Sequence, residues 1–134
     1  MSTDQRQFRR HPISVASARR YVVDTVGDQV PAERIDDVLV CVSELATNAL
    51  RATPAGRNFL VRVTSMTEAL RVEVHDTGDG RPQLRKAEED EIRGRGLFLI
   101  DSLADDWGYG PRNGPGKSVW VEFKFSAAPS AVVC

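Results

Sequence analysis

Residues 31–52 constrain the fold of this chain more than any other stretch. Ile35, Val38, Leu39, Val42, Leu45, Ala46, Ala49 and Leu50 recur there at steps of three and four, the period of a helix with one apolar face. Pro31 suits a first helical turn, and the pattern runs to about Ala52. Such a face has to lie against an apolar surface, and the chain supplies one directly afterwards. Asn58–Met66 and Ala69–His75 alternate apolar and polar side chains and are rich in β-branched residues, which predicts two strands.

Other elements follow from weaker signals. From Ser14, a plausible N-cap, Val15, Ala18, Val22 and Val26 recur at helical spacing, and Gly27 marks the end of that helix. Residues 77–93 are rich in Gly, Pro and charge and read as a loop. A third helix spans about Gly96–Leu103. A last hairpin pairs Trp107–Tyr109 with Lys117–Phe125 through Pro111-Arg112-Asn113-Gly114-Pro115-Gly116. A possible edge strand precedes the first helix. Residues 1–5 are polar and 127–134 weakly patterned, so both ends are expected to be loose around a core of about 6–126. Strands grouped apart from helices predict an α+β two-layer sandwich: a mostly antiparallel mixed sheet with about three helices on one face. With no repeat or linker, residues 1–134 are expected to form one domain.

Composition removes several function classes. At 134 residues the chain can bury a core without staples. Its 18 basic and 19 acidic residues leave a net charge of −1, so the basic excess of a nucleic-acid binder is absent. Arg6, Arg9 and Arg10 read as a solvated strand. Cys41 and Cys134 have neither metal-ligand spacing nor a disulfide framework, which suits a reducing compartment. No apolar run approaches the roughly 20 residues that span a bilayer, and the first ten residues lack a signal peptide's apolar region. A cytoplasmic protein with no membrane association is expected.

Three short patterns carry chemistry. On the second helix, Asp37, Cys41, Glu44, Asn48 and Arg51 lie at steps of three or four, on the face opposite the apolar set. Glu44 and Asn48, one turn apart, can orient a water and offer an oxygen to a hard cation; taken alone, the pattern reads first as a plain amphipathic helix. The second pattern, Val72-Glu73-Val74-His75-Asp76-Thr77-Gly78-Asp79-Gly80, ends a strand on a carboxylate followed by two glycines. Glycines permit close approach of a ligand to the backbone, although Asp-Thr-Gly-Asp-Gly is also good turn chemistry. The third, Arg93-Gly94-Arg95-Gly96-Leu97, precedes a helix, where backbone N–H groups suit phosphate. It is not a P-loop: Gly116-Lys117-Ser118 lacks the upstream glycine and precedes a strand.

Glu-x-x-x-Asn on a helix, Asp-x-Gly-x-Gly after a strand and Gly-x-Gly opening a helix, in that order, resemble the N, G1 and G2 boxes of the GHKL ATPases. Within that family Val42-Ser43-Glu44-Leu45-Ala46-Thr47-Asn48-Ala49, Gly94-Arg95-Gly96-Leu97 and Gly116-Lys117-Ser118-Val119-Trp120 look most like the bacterial anti-sigma-factor serine/threonine kinases. The resemblance covers about residues 6 to 125 and implies the Bergerat fold, with ATP and Mg²⁺ as cofactors. It implies Glu44 as general base, Asn48 as the Mg²⁺ ligand and Asp76 as the acceptor of the adenine amine, with Gly78 and Gly80 beneath the base. Gly94 and Gly96 would cradle phosphates, and Arg93 or Arg95 would neutralise charge developing there. Residues 81–93 would be the ATP lid. Lys117 and Ser118 replace the usual Gly-Thr, with the Ser118 hydroxyl placed to reach Asp76, and Ala52 stands where a His is common.

What this implies for function is an anti-sigma factor that binds a sigma factor and phosphorylates an anti-anti-sigma partner. A homodimer through the N-terminal strand and helix is also implied. The absence of a histidine-phosphorylation helix pair and of a sensor region argues against a complete histidine kinase. The alternative is a non-catalytic ATP-binding module that switches partner binding with nucleotide state; retention of Glu44 speaks against it.

Overall fold

Alternation settles the sheet and the 3.6 period settles what covers it. The computed structural model describes residues 1–78, 98–111 and 114–125. Its strands are β1 (Ser2–Arg9), β2 (Asn58–Met66), β3 (Ala69–His75), β4 (Asp106–Pro111) and β5 (Lys117–Lys124); its helices are α1 (Ile13–Val26), α2 (Ala32–Ala52) and α3 (Phe98–Leu103), with a 3-10 turn at Gly27–Gln29. β2 and β3 have the bounds the alternation predicts. Gly80, Arg93, Gly94, Arg95 and Gly96 lie outside the described residues, as do most of the 77–93 loop and residues 127–134.

The five strands form one sheet in the order β1-β2-β3-β5-β4. Each of its four ladders is antiparallel, in line with the mostly antiparallel sheet expected, and no parallel pair occurs among the described residues. The reason is topological. β3 and β4 run the same way, and β5 slots between them instead of beside β4's outer edge. This insertion also sets His75 opposite Ser118, which matters for the site.

Phe59, Val61, Val63, Leu70, Val72, Val74, Val121 and Phe123 are buried on one side of the sheet, at the alternate positions that share a face. α1 and α2 cover them and pack on each other. Val38, Val42, Leu45, Ala46 and Ala49 of α2 complete the core. The other side of the sheet has no helix among the described residues. It carries paired charges instead: Arg71 bonds Glu122 at 2.9 Å and stacks over the Trp120 ring at 4.1 Å, while Glu73 bridges Arg62, Arg71 and His75. No helix among the described residues is long and apolar enough to cross a membrane.

Three expectations fail for identifiable reasons. Residues 1–5 are not loose: Ser2–Gln5 pair with Arg62–Ser65 in β1, because an edge strand needs backbone partners and tolerates polar side chains on both faces. Ser14 is not the N-cap. The helix begins at Ile13, and Ser14 is buried, its hydroxyl donating to the Arg9 carbonyl at 2.7 Å to tie α1 to the end of β1. Cys41 does not sit on the polar face but is fully buried in the core, where a thiol behaves as a small hydrophobe.

Burial raises the Cys41 thiol pKa to about 12, with Asp37 and Glu44 adding to the shift. The thiolate is the reactive form, so Cys41 is expected to escape alkylation in the native protein at pH 8. Mass mapping of the peptide that contains it, with and without denaturant, checks this.

Candidate functional site

The site is built where β3 ends. Asp76 N–H donates to the Lys117 carbonyl at 3.0 Å, extending the β3–β5 ladder one step past His75. Asp76 is buried, with 4% of the residue exposed, and such a carboxylate needs partners. Oδ1 accepts from Gly78 N–H at 3.1 Å and Lys117 N–H at 3.3 Å, and Oδ2 faces the Lys117 ammonium at 3.1 Å. The turn is also held from β2, where Thr77 Oγ1 donates to the Asn58 carbonyl and Arg57 Nη1 donates to the Thr77 carbonyl, each at 2.9 Å.

Two glycines make this packing possible. A methyl group at Gly116 would stand 2.0 Å from the Asp76 carbonyl oxygen, and φ there is +94°, a region side chains avoid. A methyl at Gly78 would stand 2.8 Å from the Ala52 carbonyl oxygen. The Asp76 turn therefore rests against the last turn of α2. Asn48 lies one turn back from Ala52 along that helix, and Glu44 one turn further.

Glu44 and Asn48 are half-buried, as is Asp37, while Arg51 is exposed. These residues occupy the flank of the buried stripe and not the face opposite it, which corrects the helix-face expectation. Among the described residues no side-chain hydrogen bond or ion pair holds Glu44 or Asn48. A carboxylate and a carboxamide left so can serve a ligand instead of the fold.

The structure thus brings Asp76, Gly78 and the end of α2 together. Ser118 stands opposite His75, on the face away from the helices, and the contacts from β5 to Asp76 come from Lys117. Sequence reasoning missed three positioning residues. Gly116 and Arg57 act on the Asp76 turn only through strand pairings that local patterns do not reveal. Arg34 donates to the Leu103 carbonyl at 3.0 Å and lies 3.6 Å from Asp105, fixing the end of α3 against the start of α2. Its signal was there, an arginine in the first turns of a helix, but nothing local named its partner.

What can bind follows from these groups. A buried carboxylate at a strand end accepts from an exocyclic amine, bare glycine backbone lets a flat ring approach, and the α2 flank offers oxygen ligands further along. That set fits a purine nucleotide. The chain matches the family described as the histidine kinase-like ATPase domain over residues 8–123. No curated protein matches it. Among solved structures, it is similar to the histidine kinase domain of the Erythrobacter litoralis EL346 blue-light-activated histidine kinase, at 28% identity and TM-score 0.51 over 72% of this chain and 46% of that one. Full-length ShkA, solved in complex with AMPPNP, shares the fold at 19% identity and TM-score 0.56 over 96% of this chain and 33% of that one. The Acinetobacter baumannii histidine kinase AdeS does so at 14% identity and TM-score 0.52, over 94% and 70%. The chain spans less than half the length of the first two. The family match runs from the end of β1 to β5 and encloses Glu44, Asn48 and Asp76: the chain belongs to the histidine kinase-like ATPase family, the GHKL group, and is an ATP-binding domain of that type.

Proposed function

We propose that this domain is an anti-sigma factor with serine/threonine kinase activity, which holds a sigma factor in the cytoplasm and phosphorylates an anti-anti-sigma partner. One observation carries most of the weight: Glu44 and Asn48, half-buried and one turn apart, have no structural partner among the described residues. A domain that only bound ATP would have no use for an unpartnered base on that flank. The phosphoryl acceptor in this proposal is a serine hydroxyl of the partner, the group that a base at Glu44 would serve.

In this reading Asp76 accepts the adenine amine, and Gly78 and Gly80 leave room for the ring. Glu44 takes the proton of the attacking serine hydroxyl. Gly94 and Gly96 cradle phosphates, and Arg93 or Arg95 offsets their charge. Mg²⁺, when bound, neutralises charge between the phosphates. Asn48 would hold it, its carboxamide oxygen being the kind of hard ligand that Mg²⁺ accepts. The homodimer would form along β1 and α1, since β1 is an edge of the sheet.

The test is incubation with labelled ATP, Mg²⁺ and each candidate antagonist. Label on an antagonist serine supports the kinase. ATP binding without transfer to any antagonist would replace this reading by the non-catalytic module. Asn48 makes a separate prediction: Asn48→Ala should fold normally yet lose the gain in ATP affinity that magnesium gives. Calorimetry with Mg²⁺ and with EDTA measures that difference, and a retained gain would remove Asn48 from the metal site.

A further inference from the structure

The carboxylate assigned to the base is already engaged. Lys117 Nζ lies 3.1 Å from Asp76 Oδ2, and the Lys117 backbone N–H reaches Oδ1. Lys117 alternates with Val119, Val121 and Phe123, so its side chain leaves β5 on the helix-covered face, the side of the sheet on which α2 lies. The two partners differ in freedom. The Asp76 side chain is 6% exposed and the Lys117 side chain 41%. The lysine can swing its ammonium into water on a flexible stem, while the aspartate is fixed by Gly78, Gly116 and the ladder.

We propose that Lys117 sets the affinity of the base site by occupying Asp76 in the nucleotide-free protein, so that a ligand amine binds by displacing an ammonium. This rests on the reading of Asp76 as the base acceptor. A hydrogen bond between two ionised groups is stronger than one from a neutral amine. The incoming base therefore gains less than it would at a waiting carboxylate, and the half-exposed ammonium is released to solvent.

Calorimetry with ATP and ADP tests this on the full chain. Lys117→Met keeps the stem and removes the charge, and should bind both nucleotides about three- to tenfold more tightly, a range that discounts a charged hydrogen bond for the exposure of the lysine. Lys117→Arg keeps the charge and can grip the carboxylate through two N–H groups, so it should bind no better than the unsubstituted protein. In an Asp76→Asn background, Lys117→Met should bring no gain. Unchanged or weaker binding by folded Lys117→Met overturns the proposal, as does an equal gain in the Asp76→Asn background or in Lys117→Arg. Thermal melting reports folding, and Lys117→Gln answers the same question should the methionine variant not fold. Unaltered binding by Asp76→Asn alone is a different failure: it removes the base reading, and the proposal with it.

Discussion

Asp76→Asn should weaken ATP and ADP alike, by roughly ten- to a hundredfold, the cost of losing a hydrogen bond to a charged group. The structure says why a carboxamide is a poor substitute. Asp76 accepts at both oxygens, from two backbone N–H groups at Oδ1 and from the Lys117 ammonium at Oδ2. Asparagine can keep its oxygen on the backbone donors, but its amide then faces the ammonium and the adenine amine, and donor meets donor. ADP should lose as much as ATP, because the affected group lies at the base and not at the phosphates. GTP binding offers a second measure: guanine presents a carbonyl where adenine presents its amine, so the wild type should prefer ATP and the variant should lose that preference. Calorimetry on a variant shown by thermal melting to be folded gives both numbers. Unchanged ADP affinity would sink the assignment of Asp76.

The sequence was most legible where burial imposes a period. α2, β2 and β3 could be bounded because one face of each lies in the core and every residue there answers to it. β1 obeys no such rule: along its length only Phe8 is buried, and its strand state is decided by pairing with β2. Cys41 was misplaced because its type is ambiguous, polar by heteroatom and apolar by behaviour. The site shows the same division. The spacing of Glu44, Asn48 and Asp76 could be read directly, since each belongs to a local motif. The Lys117–Asp76 pair could not, because it depends on β5 lying between β3 and β4, and the alternation of each strand is compatible with several orders. Gly116 is the instructive case. In sequence it is one glycine of a turn, and only the insertion of β5 makes it the residue whose missing side chain admits Asp76.

The sharpest separation of kinase from binder rests on Glu44. In the proposed role of general base it would contribute only while a hydroxyl is being deprotonated, so its removal should spare ground-state ATP binding. Nothing among the described residues ties its carboxylate to the fold, which makes it a safe position to change without loss of stability. Glu44→Gln keeps the size and reach of the side chain but has no useful basicity. It should bind ATP and sigma factor nearly as the wild type does, and phosphorylate the antagonist more slowly by roughly 10²–10⁴, the usual contribution of a positioned base. Single-turnover transfer from labelled ATP, with binding measured on the same samples, gives rate and affinity independently. A large fall in both would assign Glu44 to nucleotide binding. Equal rates would keep the kinase and remove Glu44 from its mechanism. A wild type that binds ATP but transfers nothing to any antagonist leaves no rate for Glu44 to alter, and the domain is then a nucleotide-responsive binder whose flank carboxylate has another use.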